Sequence, residues 1–490
     1  MMTRDSDSRS VPIGPRLTMV SAVALFGATA FAQDPLVGPQ IRIDVGGGLA
    51  AANETTGSAS QIAPNRILGG WNDYRDSGFI RSGFSLSVDG GQTWNDFLLR
   101  PPLGFQANTE GDPMVAHDDR TGTLWAAAIS FDISGGIYVA RLNPGQTVFE
   151  PPVMADTGFI DKGWMAAGPR PGEPDSTRLY ITYNAGIIWS DDLGDTWTAP
   201  APLGFGLGFL PRVGPQGELY VAYWDVGTGV LLQRSLNGGA SFTTHTIATR
   251  MDVWDAQEGT RFPGTFRVPP LTYLDVDPND GTLYAVYFDT TDIVNGQSNV
   301  DLYFTRSTNQ GTTWTTPVVI NNDADRPGDQ FFPWLEVDQC GRIHIVFLDS
   351  RHTVQDDDVP NGRFDVYYTY STDGGDTWTE FRLTSAPWSS NGSTFVGDYL
   401  GMAVAGNRVY PVYVDMGNGD QDVNTNVIVF PSPDVNDDGT VNVLDLIDLL
   451  LCFGLPAAPG CEGEDVNGDG TIDVLDLIEV LVTFGLTPCG

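Results

Sequence analysis

The octet STDGGDTW spans Ser371–Trp378, and it returns along the chain with little change. Four more copies are clear: SVDGGQTW (87–94), SDDLGDTW (190–197), SLNGGASF (235–242) and STNQGTTW (307–314), with a degraded sixth, RLNPGQTV, at 141–148. The shared pattern is S-x-[DN]-x-G-x-[ST]-[WF], and each part has a mechanical role. The Asp or Asn side chain can accept hydrogen bonds from the backbone of its own turn. The Gly supplies a backbone conformation closed to other residues. The Trp or Phe is a large apolar plug at the start of the next strand.

A second repeat runs independently of the first. Aromatic-rich strand ends close on Asp or Asn at Asp73, Asp132, Asn184, Asp225, Asp289, Asp349 and Asp415, with gaps of 41 to 66 residues. That is about one four-stranded propeller blade plus its loops. The unit at 328–384 reads as strands FPWLEVD, RIHIVFLD and FDVYYTYS, then the octet, then EFRLT. Alternating apolar and polar positions fit antiparallel strands. The last unit, Val396 to Phe430, has no octet, and QIRIDV (Gln40 to Val45) can supply its outer strand and close the ring. The expectation is an all-β propeller of seven four-stranded blades, alternatively six, over 38–430.

These octets resemble the Asp-boxes, or BNR repeats, of sialidase-like β-propellers. The resemblance covers roughly residues 38 to 430. It implies that the octets lie on the turn between the third and fourth strand of a blade and hold the structure together. Propeller ligands usually sit on the opposite face, near the axis. The residues to examine there end the second strand or precede the first: Asp73 and Arg75, Glu110 and Asp112, Asp225, Asp289, Asp349 and Arg351, Asp398 and Tyr399, and Asp415. A glycosidase needs an acid and a base or nucleophile beside the scissile bond. A sialidase, as the resemblance implies, adds an arginine triad for the substrate carboxylate and a Tyr–Glu nucleophile pair. Asp73, Arg75, Asp349, Arg351, Asp398 and Tyr399 are therefore the candidate catalytic set. The alternative is that the Asp residues cap loop backbones and the arginines pair with them. The family's early F-R-I-P motif is not found near the N-terminus. Phe266-Arg267-Val268-Pro269 is similar to it but lies in the fifth unit.

The chain carries 62 acidic and 25 basic residues, a net charge of -37, and Lys162 is its only lysine. Such a surface repels nucleic acid and anionic lipid. Residues 1–32 read as a signal peptide: Arg4, Arg9 and Arg16 precede the apolar run LTMVSAVALFGATAFA, with cleavage expected after Ala32. Export to the extracellular space or cell surface follows, with no membrane span. Of four cysteines, Cys340 stands alone in a turn, whereas Cys452, Cys461 and Cys489 cluster and can form one disulfide whose pair the sequence leaves open.

After the short link 431–433 the character changes. DVNDDGTVNVLDLIDLLLCFG (434–454) is repeated 31 residues later as DVNGDGTIDVLDLIEVLVTFG (465–485). Each copy opens with oxygen ligands at the spacing of an EF-hand calcium loop. In the first these are Asp434, Asn436, Asp438, Asn442 and Asp445, with the Thr440 carbonyl. In the second they are Asp465, Asn467, Asp469, Asp473 and Asp476, with Thr471. Two calcium ions are expected, one per loop. The duplicated loop–helix unit at 434–490 is similar to a type I dockerin, which implies a cohesin-like scaffold or cell-surface partner. The helices are apolar almost all round, so they either bury each other, the favoured expectation, or present an apolar surface to a partner. The whole then reads as an exported, glycan-directed propeller, with an exo-sialidase-like glycoside hydrolase in polysaccharide catabolism as its enzymatic form, tethered by a calcium-dependent module. The alternative is a non-catalytic binding or adhesion propeller.

Overall fold

The computed structural model describes residues 34–490 except 77–78, 106–108, 133–134, 159, 185, 226, 250–267, 295–296, 324–327, 353–362, 390–394, 459, 462, 487–488 and 490. The expected signal peptide and cleavage site, and Phe266 and Arg267, lie outside the described residues.

Seven antiparallel sheets follow one another along the chain, and each is a blade. Their inner strands are Ala52–Ala59, Glu110–Asp118, Trp164–Arg170, Leu207–Val213, Tyr273–Val276, Gln330–Val337 and Gly401–Ala405. In the sixth blade these lead to Ile343–Asp349, Arg363–Ser371 and Thr379–Arg382, as the repeat unit predicts. The third blade has three strands, and its outer position is held by a bridge between Ile187 and Ala201. Ring closure follows the expected route: Ile41 pairs with Thr425 and Arg42 with Asn424, so an N-terminal strand completes the seventh blade. A second tie was not foreseen. Leu36 and Val37 pair with Val429 and Ile428, adding a further N-terminal strand to the same sheet.

The strands are apolar on both faces because each blade packs against two others. Trp71, Trp125, Tyr138, Tyr180, Tyr220 and Tyr368 are wholly buried, and each such side chain contributes roughly 2–3 kcal/mol of hydrophobic burial. All five octets are turns after the third strand of a blade. In the sixth blade the Thr377 N–H and hydroxyl donate to Asp373 at 2.9 and 2.6 Å. The Gly375 N–H donates to Ser371 Oγ at 2.9 Å, and Trp378 Nε1 donates to the Gly375 carbonyl at 3.2 Å. The same bonds recur around Asp89 and Asp192. Trp378 stands edge-on to Phe304 of the preceding blade, 5.0 Å between centroids. Gly375 has φ 93°, and a Cβ there would meet the Phe304 ring at 2.2 Å. The octet is thus a staple between neighbouring blades.

Beyond Phe430 lie two loop–helix segments, with helix α1 at Val443–Cys452 and α2 at Val474–Val482. Asn442 and Asp473 cap them, accepting from the Leu444 and Leu475 N–H groups at 2.8 and 2.7 Å. Two expectations are corrected here. The helices bury each other only in part: Leu449 and Val480 share one small core with Leu446 and Leu477 against it, while Leu444, Ile447, Leu451, Leu475, Ile478 and Val482 stay 47–76% exposed. Two nine- or ten-residue helices with apolar residues on every side cannot turn all of them towards one seam. Cys340 is not alone either. It is bonded to Cys489, and Cys452 to Cys461. Folding brings the Cys340 turn of blade six against the chain's end, a proximity that a separation of 149 residues conceals.

Candidate functional site at the propeller axis

The inner strands enter the ring with an irregular turn of backbone. Register slips between Asn53 and Thr56, Gly111 and Met114, Leu207 and Leu210, and Phe331 and Trp334. At these places Glu54, Asp112 and Phe332 hold φ of 54°, 42° and 52°, where Gly208 holds 71°; just ahead of the inner strands of blades three and seven, Lys162 holds 54° and Gly397 99°. A bulge re-aims one side chain out of the strand's alternation. In blades one and two the bulge carries a charged group, Glu54 and Asp112, and the turn ahead of blade three carries Lys162.

These groups converge. Lys162 Nζ donates to Glu54 Oε1 at 3.1 Å and to Asp398. Asp112 accepts the Lys162 backbone N–H at 2.8 Å, and its own N–H donates to Asn72 Oδ1 at 3.0 Å. Asn72 Nδ2 in turn donates to Glu54 Oε2 at 2.5 Å. Tyr399 completes the cluster. Its ring lies 5.6 Å from Lys162 Nζ and packs on Trp164 at the same centroid distance. Glu54 and Asp112 are 2% and 4% exposed and Asp398 not at all. Burial raises the Glu54 carboxyl well above its usual range, against the pull of Lys162, and Asp112 and Asp398 add to the rise. Burial alone would lower the Lys162 ammonium, but the carboxyls of Glu54, Asp112 and Asp398 more than reverse this. A hydrogen bond between the Glu54 and Asp112 side chains adds to the same rise. The hydroxyls of Tyr399 and Tyr273 are buried here without a hydrogen-bond partner among the described residues.

The sequence-derived candidates divide. Asp398 and Tyr399 are in this cluster, with Asp112. Asp73 and Arg75 are not. The Asp73 carboxylate accepts the Arg75 N–H at 2.9 Å, and the Arg75 guanidinium bridges it to Asp96 on the blade's outer strand. Asp349 and Arg351 repeat this in blade six, with Glu380 as the outer partner at 2.8 Å. Both arginines thus point away from the axis. Asp225 and Asp415 cap the N–H groups of Gly227 and Gly417, and Asp289 caps Thr290. Glu110 faces Arg81 at 3.8 Å and Ser82. Glu54 and Lys162 were not among the candidates. Lys162 carried a signal, being the only lysine in 490 residues; Glu54, in AANETTG, carried none.

At the other end of the axis a cavity of about 490 Å³ opens among the turns that share the octets' face. Its floor is Trp164, on the inner side of the Tyr399 cluster.

The C-terminal loops place their acidic residues inward. Asp434, Asp445, Asp465 and Asp476 are at most 1% exposed. Asp434 accepts the Asp438 and Gly439 N–H groups at 3.1 and 2.8 Å, and Asp445 accepts those of Asn436 and Asn442 at 3.1 and 2.7 Å. The second loop repeats this around Asp465 and Asp476. Asp465 Oδ1 is buried with no hydrogen-bond partner among the described residues. Burial raises the Asp434 and Asp465 carboxyls, and the neighbouring Asp445 and Asp438, and Asp476 and Asp469, add to the rise; a cation that prefers hard oxygens, such as calcium, would relieve it.

No family model and no curated protein matches the chain. Among solved structures, it is similar to YCF48 bound to D1 peptide, at 12% identity, TM-score 0.40, 81% of this chain and 98% of that one. It is also similar to the intramolecular trans-sialidase from Ruminococcus gnavus in complex with oseltamivir carboxylate, at 11%, TM-score 0.38, 79% and 98%. Trypanosoma rangeli sialidase in complex with the inhibitor DANA gives 12%, TM-score 0.41, 84% and 60%. At these identities the likeness is one of fold alone.

Proposed function

We propose that this is an exported, glycan-directed propeller that engages sugar at the axial cluster, and that a calcium-loaded, dockerin-like C-terminal module tethers it to a scaffold or cell-surface partner. The observation that carries the reading is the backbone of Glu54, Asp112 and Lys162. A non-glycine residue at positive φ costs on the order of 1 kcal/mol. Blades four and seven avoid that cost with Gly208 and Gly397, whereas these three keep charged side chains there. Strain held at charged axial positions supports a role in function over one in stability. Glu54 is the proton donor of the cluster, Asp398 the carboxylate across the ammonium, and Tyr399 the hydroxyl beside them. Arg75 and Arg351 are committed to their own blades, so the reading favours uncharged sugars over sialic acid.

A second reading, binding without cleavage, is favoured by the cluster's near-complete burial. Sugar release by the full chain from neutral and sialylated polysaccharides separates the two. Release that is abolished in Glu54→Gln supports cleavage at the axis. Glycan binding without release supports the second reading. No binding and no release by the folded protein refutes both. Two calcium ions per chain by calorimetry, lost singly in Asp434→Ala and Asp465→Ala, tests the tether.

A further inference from the structure

The cavity on the octets' face is separate from the axial cluster and has its own chemistry. All seven inner strands contribute to it, and about 490 Å³ is the size of a pocket for a single small ligand. Most of the wall is apolar, from residues such as Met165, Val213 and Val404, with Trp164 at the floor. The polar groups stand in pairs around the rim. Arg120 faces Asp118 at 3.1 Å. His117 faces Asp119 at 3.6 Å, with its other nitrogen 2.9 Å from Ser58 Oγ. Arg212 is shared by Asp275 at 3.1 Å and Glu336 at 2.9 Å, and lies over the Trp334 ring.

This wall holds four carboxyls against two arginines and a histidine, so acid exceeds base by at least one. The excess falls on Glu336. Its Oε1 takes both the Arg212 guanidinium and Trp334 Nε1, the latter at 2.8 Å. Its Oε2 accepts no hydrogen bond among the described residues. Burial raises this carboxyl to about 7, with Arg212 opposing the rise and Asp275 adding to it. A ligand bringing one positive charge would supply the missing partner, and the chain's net charge of -37 draws cations towards it. An anionic ligand would meet the opposite field. The apolar wall and the indole floor suit a ring.

We infer that this cavity binds a ring-bodied organic amine, the amine-bearing terminal residue of a sugar chain, with its ammonium on Glu336 Oε2 and its ring over Trp164. The identity of the ring as a sugar rests on the glycan-directed reading above; the ammonium rests on the cavity alone.

The test is calorimetric titration of the full chain with glucosamine, N-acetylglucosamine, glucose and cyclohexylamine. Glucosamine is expected to bind roughly tenfold or more tighter than the two uncharged sugars, as one desolvated ion pair would give. Glu336→Gln keeps an Oε1 acceptor for Arg212 and Trp334, and should bring the three sugars level. Equal affinity of the wild type for all three sugars would overturn the inference while leaving glycan binding intact. Cyclohexylamine binding as well as glucosamine, with no affinity for the neutral sugars, would support the ammonium site and refute the sugar. No binding of any of the four overturns the inference. Because the wild type alone discriminates among ligands, these outcomes stand even if the variant fails to fold.

Discussion

Replacing Lys162 by Met should be among the most damaging single changes in this chain. The ammonium is within bonding distance of Glu54 and Asp398, and its backbone N–H also holds Asp112. Met fills much of the same volume, so packing changes little and the electrostatic loss dominates. Without the lysine, the carboxyls of Glu54, Asp112 and Asp398 are buried around a site that has lost its cation. Removing one partner from a buried ion pair costs about 3–5 kcal/mol, and the upper part of that range applies here because one cation serves several carboxyls. Without the ammonium, the folded state must either bury net negative charge or take up protons that the unfolded chain does not hold. Its stability therefore falls as pH rises, and the penalty should be larger at pH 8 than at pH 5. Urea unfolding followed by tryptophan fluorescence at both values measures this. A second readout uses the lysine's uniqueness: in the wild type, amine-reactive labelling beyond the α-amino group should appear only as the propeller opens. A loss below about 1 kcal/mol at pH 8, or an equal loss at both pH values, would refute the account of the cluster as a buried, charge-balanced unit.

Asp373→Ala should cost about 1–2 kcal/mol through the lost Thr377 and Ser371 bonds, measured by thermal unfolding, with ligand binding unchanged. Burial pushes Asp373 up, but hydrogen bonds from Thr377 and Ser371 outweigh it and leave the carboxyl at about 2. Its folded value is depressed, so its contribution is present above about pH 4 and is lost as pH falls towards 2, which an acid titration of wild type against Asp373→Asn would show. Glu110 behaves oppositely. Burial raises it to about 7 despite the Ser82 N–H and Arg81, so the fold loses stability as pH rises from about 4.5 to 7. Glu110→Gln should remove that decline from the unfolding profile. Cys340→Ser opens a loop closed across 149 residues. By loop entropy this should destabilise the C-terminal attachment by up to about 5 kcal/mol, read as earlier proteolytic release of residues 434–490.

The propeller was legible because its determinants are local and repeated. Each octet carries its own hydrogen bonds within eight residues, so STDGGDTW can be read without knowing what surrounds it. Strand ends such as VAYWD and IVFLD mark the blades in the same way, and the closing strand at Ile41–Arg42 was found as the piece missing from the last blade. The axial cluster was not legible, because its members come from blades one, two, three and seven and meet only through a backbone irregularity. Nothing in AANETTG marks Glu54 as the residue that leaves the strand's alternation, since the bulge is set by neighbouring blades. Arg75 and Arg351 looked like an axial pair for the reverse reason. The motif D-x-R is visible, but its partners Asp96 and Glu380 lie on outer strands, and they turn the guanidinium outward.

The two C-terminal loops show how a duplicated sequence adapts to a fixed place. At the fourth position of the second loop stands Gly468 with φ 68°, the residue suited to left-handed backbone. The first loop has Asp437 there, with φ 57°. The strain has a return. Asp437 accepts the Asn407 N–H at 2.9 Å and lies 3.4 Å from Arg408 Nε, on the turn of blade seven. Cys489 meanwhile binds the corresponding turn of blade six. The first repeat has thus diverged from the second at the residue that touches the propeller. Asp437→Gly should relax the loop locally yet weaken its attachment to blade seven, whereas Gly468→Asp should only add strain. Hydrogen exchange at Asn407 and Arg408 measures the difference. Equal protection there in wild type and Asp437→Gly would show that the disulfide alone holds the module in place.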